Sequence, residues 1–257
     1  MPETILVDRD ARGVATVSIN NTAKANSLGM ETMQAFVDAV TKLGEDPALR
    51  VLIVTGAGDR AFMGGANLFE LGALDRVSAR KFITQVHFMS KALRELPVPV
   101  VARVNGWCLG AGLEVMAACD MRVASDNAMF GMPEVKVGLP SVVEAALLPQ
   151  LIGWGRTKIL LYTAENIDAA TAFQWGLVEK IVPPADLDAA VAHWVDAILE
   201  AGPQAIRLQK ELIREWEAMP IADAIQAGVR NFVRAYDTDE PTRSIGDTIA
   251  RLRSRSS

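Results

Sequence analysis

The chain has 257 residues, half of them hydrophobic, which is enough to bury a large core as one domain or as one domain with a small appendage. Its 26 Lys plus Arg against 31 Asp plus Glu leave a formal net charge of −5, which disfavours a dedicated nucleic-acid binder, because that needs a basic face to neutralise phosphates. The 19 Gly and 12 Pro exclude collagen-like and low-complexity chains, no apolar run approaches the ~18 residues of a membrane span, and Met1-Pro2-Glu3-Thr4 lacks the regions of a signal peptide, so a soluble cytoplasmic protein is expected.

Residues 4–20 read as a β-hairpin: Ile5, Leu6 and Val7 lead into a turn-like stretch at 9–13, and Val14, Val17 and Ile19 follow in partial alternation. Met30, Met33, Phe36, Val37, Val40 and Leu43 recur at helical spacing, so 30–44 reads as an amphipathic helix that stops near Gly44. A short buried strand at 51–54 ends at Thr55-Gly56, and a loop holding Met63-Gly64-Gly65-Ala66 follows. Residues 78–96 read as a helix with Phe82, Ile83, Val86, Met89, Leu93 and Leu96 as its apolar set. A strand run at 98–104 carries Pro99 near its start, where proline is tolerated, and Asn105-Gly106 breaks it. Gly110-Ala111-Gly112 then opens a helix to about Ala118, with another short strand at 121–124. Short apolar strands alternating with helices indicate an α/β architecture with crossovers.

From about residue 185 the pattern is helical only. Leu187, Val191, Trp194, Val195 and Ile198 form one stripe, and helices at about 203–217, 221–236 and 240–253 follow. The expected division is an α/β core over 1–185 and a helical region over 186–257, whose broad apolar faces point to self-association. Cys108 and Cys119 sit in apolar surroundings and read as buried, reduced thiols.

Several chemistries lack their residues. His87 and His193 each fall within an amphipathic helix, without Cys or His at metal-ligand spacing, and read as solvated or packed side chains. There is no Gly-x-Ser-x-Gly elbow, no Walker loop and no dinucleotide fingerprint in strand–helix context. What remains are glycine-rich loops with carboxylates beside them. In Gly110-Ala111-Gly112-Leu113-Glu114, small residues precede a helix whose first N–H groups are unpaired and favour negative charge. Such donors can hold a thioester oxygen as it gains enolate charge, and Glu114 lies on roughly the face of Ala111. Glu114 is then either a reacting group or a first-turn complement to the helix dipole. Glu134, in Phe130-Gly131-Met132-Pro133-Glu134-Val135, is either an exposed loop glutamate or a partly desolvated acid with a raised pKa. Ser141-Val142-Val143-Glu144 fits a capping box with Ser141 at the N-cap, against the reading of Glu144 as a third acid.

Together these segments resemble the crotonase superfamily, the enoyl-CoA hydratase/isomerase family, over about residues 4–235. Asn20-Asn21-Thr22-Ala23-Lys24-Ala25-Asn26-Ser27-Leu28 resembles its first ligand loop, and Ala61-Phe62-Met63-Gly64-Gly65-Ala66-Asn67-Leu68 its Phe-x-x-Gly-Ala-Asp loop. The stretch from Val104-Asn105-Gly106 to Glu114, closed by Ala118-Cys119-Asp120, resembles its Asn-Gly-x-x-x-Gly-Gly-Gly-x-Glu block. Phe130-Gly131-Met132-Pro133-Glu134 matches its second glutamate motif, and Ile167-Asp168-Ala169 through Trp175-Gly176-Leu177-Val178 its Ala-x-x-x-Gly-Leu-Val element.

The resemblance implies a crotonase-like α/β spiral of ββα repeats and a helical C-terminal region that builds a trimer or a dimer of trimers. It implies an oxyanion hole from the N–H groups of Ala66 and Ala111, and coenzyme A contacts from Lys24, Ala25, Gly64, Ala66, Asn67 and Leu68. Coenzyme A would be part of an acyl-CoA substrate of lipid metabolism, with no separate cofactor and no metal. Hydration of a trans-2-enoyl-CoA is the implied reaction, Glu114 activating water and Glu134 delivering the α-proton. Isomerisation, which needs one carboxylate, is the alternative, and a non-catalytic or RNA-binding relative the least favoured. Departures are Asn67 for the usual Asp, Ala111 for a usual Gly, Pro140-Ser141 in a loop one residue shorter, and Arg251-Leu252-Arg253 at the C-terminus. Ala111 cannot reach positive φ cheaply, so the hole requires a helical conformation there. Met63, Trp107, Met132, Val142 and Val143 are the apolar candidates for an acyl pocket.

Overall fold

A computed structural model of the chain describes residues 3–255. The hairpin forms as expected: β1 (Ile5–Arg9) pairs antiparallel with β2 (Val14–Ile19), and α1 (Met30–Gly44) follows. Three turns of a spiral come next. β3 (Val51–Gly56), β4 (Ala61–Met63) and the helices α2 (Leu68–Leu71) and α3 (Arg76–Glu95) make the first, and β5 (Val100–Val104), β6 (Trp107–Leu109) and α4 (Ala111–Ala117) the second. The third is β7 (Met121–Ser125), β8 (Met129–Gly131), two 3-10 turns at Glu134–Val137 and Val143–Leu147, and α5 (Leu148–Thr163). β9 (Ile167–Asp168), α6 (Ala169–Trp175) and β10 (Lys180–Val182) close the core, and α7 (Leu187–Glu200), α8 (Pro203–Trp216), α9 (Ile221–Ala235) and α10 (Glu240–Arg255) complete the chain.

The longer strands build a six-stranded sheet in the order β1-β2-β3-β5-β7-β10, parallel beyond the hairpin, and the short ones a second sheet, β4-β6-β8-β9. This second sheet is the chief departure from the sequence reading, which placed Met63-Gly64-Gly65-Ala66 in a loop and ended its strand at Asn105-Gly106. Three-residue strands show too little alternation to register as strands; they are defined by their neighbours. Two buried asparagines secure the crossing between sheets. Asn26, itself at φ +55, donates to the carbonyls of Ala57 (3.0 Å) and Ala61 (2.7 Å), and Asn105 to those of Gly56 (2.9 Å) and Gly58 (2.6 Å). Carbonyls that leave a ladder here would otherwise lie unpaired in the interior.

The central strands of the sheet are buried on both faces. Leu52 and Val54 join the main core with Phe36, Phe62, Met89 and Leu113, while Val51, Val101 and Val123 pack under Leu187, Val191 and Val195 of α7. That period-two division explains why parallel strands read as unbroken apolar runs. Cys108 and Cys119 are buried and free, as expected. Helix α3 starts earlier than expected because Asp75 caps it, accepting from the N–H of Val77 (3.0 Å) and Ser78 (2.7 Å).

Candidate active site

Helix α4 brings the two expected oxyanion donors together. Gly110 has φ +51 and ψ −123, a conformation for glycine, so the turn falls there and Ala111 becomes the first helical residue, as its side chain demands. A Cβ on Gly112 would stand 2.4 Å from the Met63 carbonyl oxygen, so only glycine lets α4 lie this close to β4. Beyond β4, Leu28 donates to the Gly65 carbonyl (2.9 Å) and accepts from Asn67 N–H (2.8 Å). This bridge uses the groups on either side of Ala66 and leaves its N–H facing the other way. Neither the Ala66 nor the Ala111 N–H is spent on a backbone carbonyl among the described residues, and both residues line one cavity of about 490 Å³.

Glu114 and Glu134 line the same cavity. Glu114, one turn into α4, is 3% exposed, and its Oε1 accepts from the Ala145 N–H at 3.2 Å. Burial raises its pKa from 4.5 to about 8; the Glu134 charge adds to the lift and the Ala145 bond opposes it, with Glu144 pushing further upward. The burial that lifts Glu114 arises because every residue of α4 is buried. Glu134 heads the first 3-10 turn, half-buried, and its Oε2 accepts from Ser141 Oγ at 2.8 Å. Its Oε1 lies so close to Gly110 that a Cβ there would meet it at 2.4 Å.

The capping box at 141–144 does not form. The 3-10 turn begins one residue later than a cap at Ser141 requires, with Val142 at its N-cap and no side-chain cap, and the Ser141 hydroxyl donates to Glu134 instead. Glu144 turns inward instead and meets Nδ1 of His87 at 2.7 Å, so His87 is neither free in solvent nor simply packed. The expected acyl pocket is also corrected. Met63 and Met132 are fully buried in the core, Trp107 is exposed on β6, and Val143 packs on the core; only Val142 lines the cavity. The apolar wall comes from Leu71 and Leu74 and from Phe82, Ile83 and Val86 of α3, with Arg76 and Arg80 beside them. The helical spacing of Phe82, Ile83 and Val86 was legible, whereas Leu71 and Leu74 fell in no expected element, and nothing local separates a residue facing a cavity from one facing a core.

Of the coenzyme A candidates, Ala66 lines the cavity; Lys24 and Leu68 are exposed, and Ala25 and Gly64 are joined by the Gly64 N–H bond to the Ala25 carbonyl (2.9 Å). Asn67 caps α2, accepting from Phe69 N–H at 3.0 Å, a role that the usual Asp could fill equally. Lys24, Ala25, Gly64, Ala66, Asn67 and Leu68 therefore stand on two adjoining loops.

The family model described as enoyl-CoA hydratase/isomerase matches residues 9–247. A crotonyl-CoA hydratase of Syntrophomonas wolfei is 38% identical over 239 residues, 93% of this chain and 92% of that protein. A short-chain-enoyl-CoA hydratase of Clostridium acetobutylicum is 32% identical over 92% of this chain and 90% of its own length. The crystal structure of an enoyl-CoA hydratase from Bacillus anthracis superposes with a TM-score of 0.93 at 31% identity, covering 97% of both chains.

Proposed function

This chain belongs to the enoyl-CoA hydratase/isomerase family, and from that premise we propose that it adds water across the double bond of a trans-2-enoyl-CoA to give the 3-hydroxyacyl-CoA. The observation that carries the reading is that two carboxyls and two uncommitted backbone N–H groups meet in one cavity: Glu114, Glu134, Ala66 and Ala111.

The thioester oxygen rests between the amides of Ala66 and Ala111, so that enolate charge forms against donors already aimed; one such donor is worth ~10²–10³ in rate. Hydration then needs one carboxylate and one carboxylic acid. The carboxylate takes a proton from water as its oxygen bonds to the β-carbon, and the acid delivers a proton to the α-carbon. Glu114 fills the first role and Glu134 the second. In the free cavity burial favours the proton on Glu114, and a water bridging the two carboxyls passes it to Glu134. Isomerisation would leave one of the two carboxyls without a task.

Lys24, Ala25, Gly64, Asn67 and Leu68 hold coenzyme A on the adjoining loops, and Arg76 and Arg80 offer positive charge at the cavity wall. The protein works in the cytoplasm as a trimer or a dimer of trimers. In support, α9 exposes Ile221, Ile225, Val229, Phe232 and Tyr236 along one stripe, and no helix among the described residues is long and apolar enough to cross a membrane. The test is the loss of conjugated-thioester absorbance with trans-2-enoyl-CoA thioesters of increasing chain length. Turnover that Glu114→Gln and Glu134→Gln each abolish supports the pair; turnover left intact by Glu114→Gln ends the reading.

A further inference from the structure

Glu144 is 8% exposed, and one of its oxygens, Oε2, is buried without a partner among the described residues. A buried carboxylate kept only for stability is expected to have both oxygens satisfied. The backbone is strained to place it: the preceding residue, Val143, has φ +38, costly for a β-branched side chain. The next residue, Ala145, donates the N–H that Glu114 Oε1 accepts at 3.2 Å. A single 3-10 turn thus carries both a donor to Glu114 and a second buried carboxylate near it. On its other side Glu144 Oε1 meets His87 Nδ1 at 2.7 Å, from the helix that also supplies the cavity wall.

We propose that Glu144, anchored by His87, is a positioning residue for Glu114: its turn presents the Ala145 N–H that orients the Glu114 carboxyl, and its buried charge opposes a negative charge there. This deepens the reading of Glu114 as half of the acid–base pair and rests on it. Two like charges in one low-dielectric pocket resist joint ionisation, so Glu144 keeps the proton on its neighbour. Glu134, which lines the cavity with Glu114, acts on it in the same sense. The elements packed on the 144 turn are α3, α4 and α5. From α3 it meets His87, and the next residue of its turn bonds Glu114 of α4, whereas Arg156 of α5 bonds the Trp175 carbonyl, and Lys158 and Tyr162 lie exposed. His87 is the ring that meets Glu144 Oε1, and its side chain is 45% exposed, so the pair lies at the edge of the core.

The test is the titration of the Glu114 carboxyl in the free enzyme, followed by NMR of protein with ¹³C-labelled glutamate carboxyls and assigned with Glu114→Gln. In Glu144→Gln, which keeps shape and hydrogen bonding, the Glu114 midpoint falls by roughly half a pH unit or more. Glu144→Met, which fills the space without charge, shifts it the same way and serves if the first variant folds poorly. In kinetics the alkaline limb of kcat/KM moves to lower pH with the midpoint, a change that loosened packing does not produce. A Glu114 midpoint that stays in place in a folded variant overturns the proposal. The NMR titration needs no turnover, so this result is distinct from failure of the hydratase reading, in which the wild type leaves every enoyl-CoA unchanged.

Discussion

Ser141 Oγ donates to Glu134 Oε2 at 2.8 Å, spanning seven residues of chain across the loop that closes the cavity. Each partner belongs to a different segment of the sequence reading, one as a helix cap and one as an acid, and the structure makes them a unit. The hydroxyl holds the half-buried carboxyl against Gly110, beside the first residue of α4.

Removing that tether affects the reaction more than the fold. Ser141→Ala lowers kcat by about tenfold, in line with a hydrogen bond to a charged group worth ~1.5–3 kcal/mol, and leaves the melting temperature within a few degrees. Steady-state kinetics beside thermal melting check both halves of this expectation.

The two carboxyls hold one proton between them in the active form, so kcat/KM follows a bell-shaped pH curve. Its alkaline limb falls near pH 8, where Glu114 ionises in the free enzyme. Glu114→Gln and Glu134→Gln each lower kcat by roughly 10²–10⁴-fold. A profile flat from pH 6 to pH 10 contradicts this assignment.

Glu114 also sets a stability trend. Its folded pKa, about 8, lies above the 4.5 of the unfolded chain, so between these values the folded state keeps a proton that the unfolded state releases. Stability from this group is fully present below about pH 4.5 and is lost as the pH climbs to 8, by up to about 5 kcal/mol. Glu114→Gln removes that loss and is more stable than the wild type at pH 8–9. Urea unfolding of both proteins across this range reads the difference directly.

Gly110 accepts no side chain. Gly110→Ala forces φ +51 and ψ −123 on alanine, a strain of ~1–3 kcal/mol, and sets a methyl group 2.4 Å from Glu134 Oε1. Both the amide of Ala111 and the second carboxyl shift, and kcat falls by at least about 10²-fold. Binding of a non-reactive acyl-CoA, measured by calorimetry, is retained to a greater degree than turnover.

The stripe on α9 carries the quaternary prediction. Phe232→Glu places a charge amid Ile225, Val229 and Tyr236, and if the proposed trimer forms through this stripe it converts that trimer to monomers in light scattering coupled to size-exclusion chromatography. An unchanged mass locates the contact elsewhere.

The sequence by itself determined the hairpin, helices such as α1 and α3, and the all-helical end, and its family resemblance singled out Glu114 and Glu134 as the candidate acid–base pair. The elements follow from local properties, apolar periodicity and glycine where the backbone must bend or approach closely, whereas the roles of Glu114 and Glu134 are what the family resemblance implies. Only the tertiary structure decided the short second sheet, the inward turn of Glu144 toward His87, the loss of the 141–144 cap to Glu134, and the cavity wall of Leu71, Leu74 and Phe82. Each of these joins residues remote in the chain, and their energies arise from burial and pairing that exist once the spiral has closed. A serine three positions before a glutamate has the same local chemistry in either arrangement; where the turn begins, at Val142 rather than Ser141, settles which one forms.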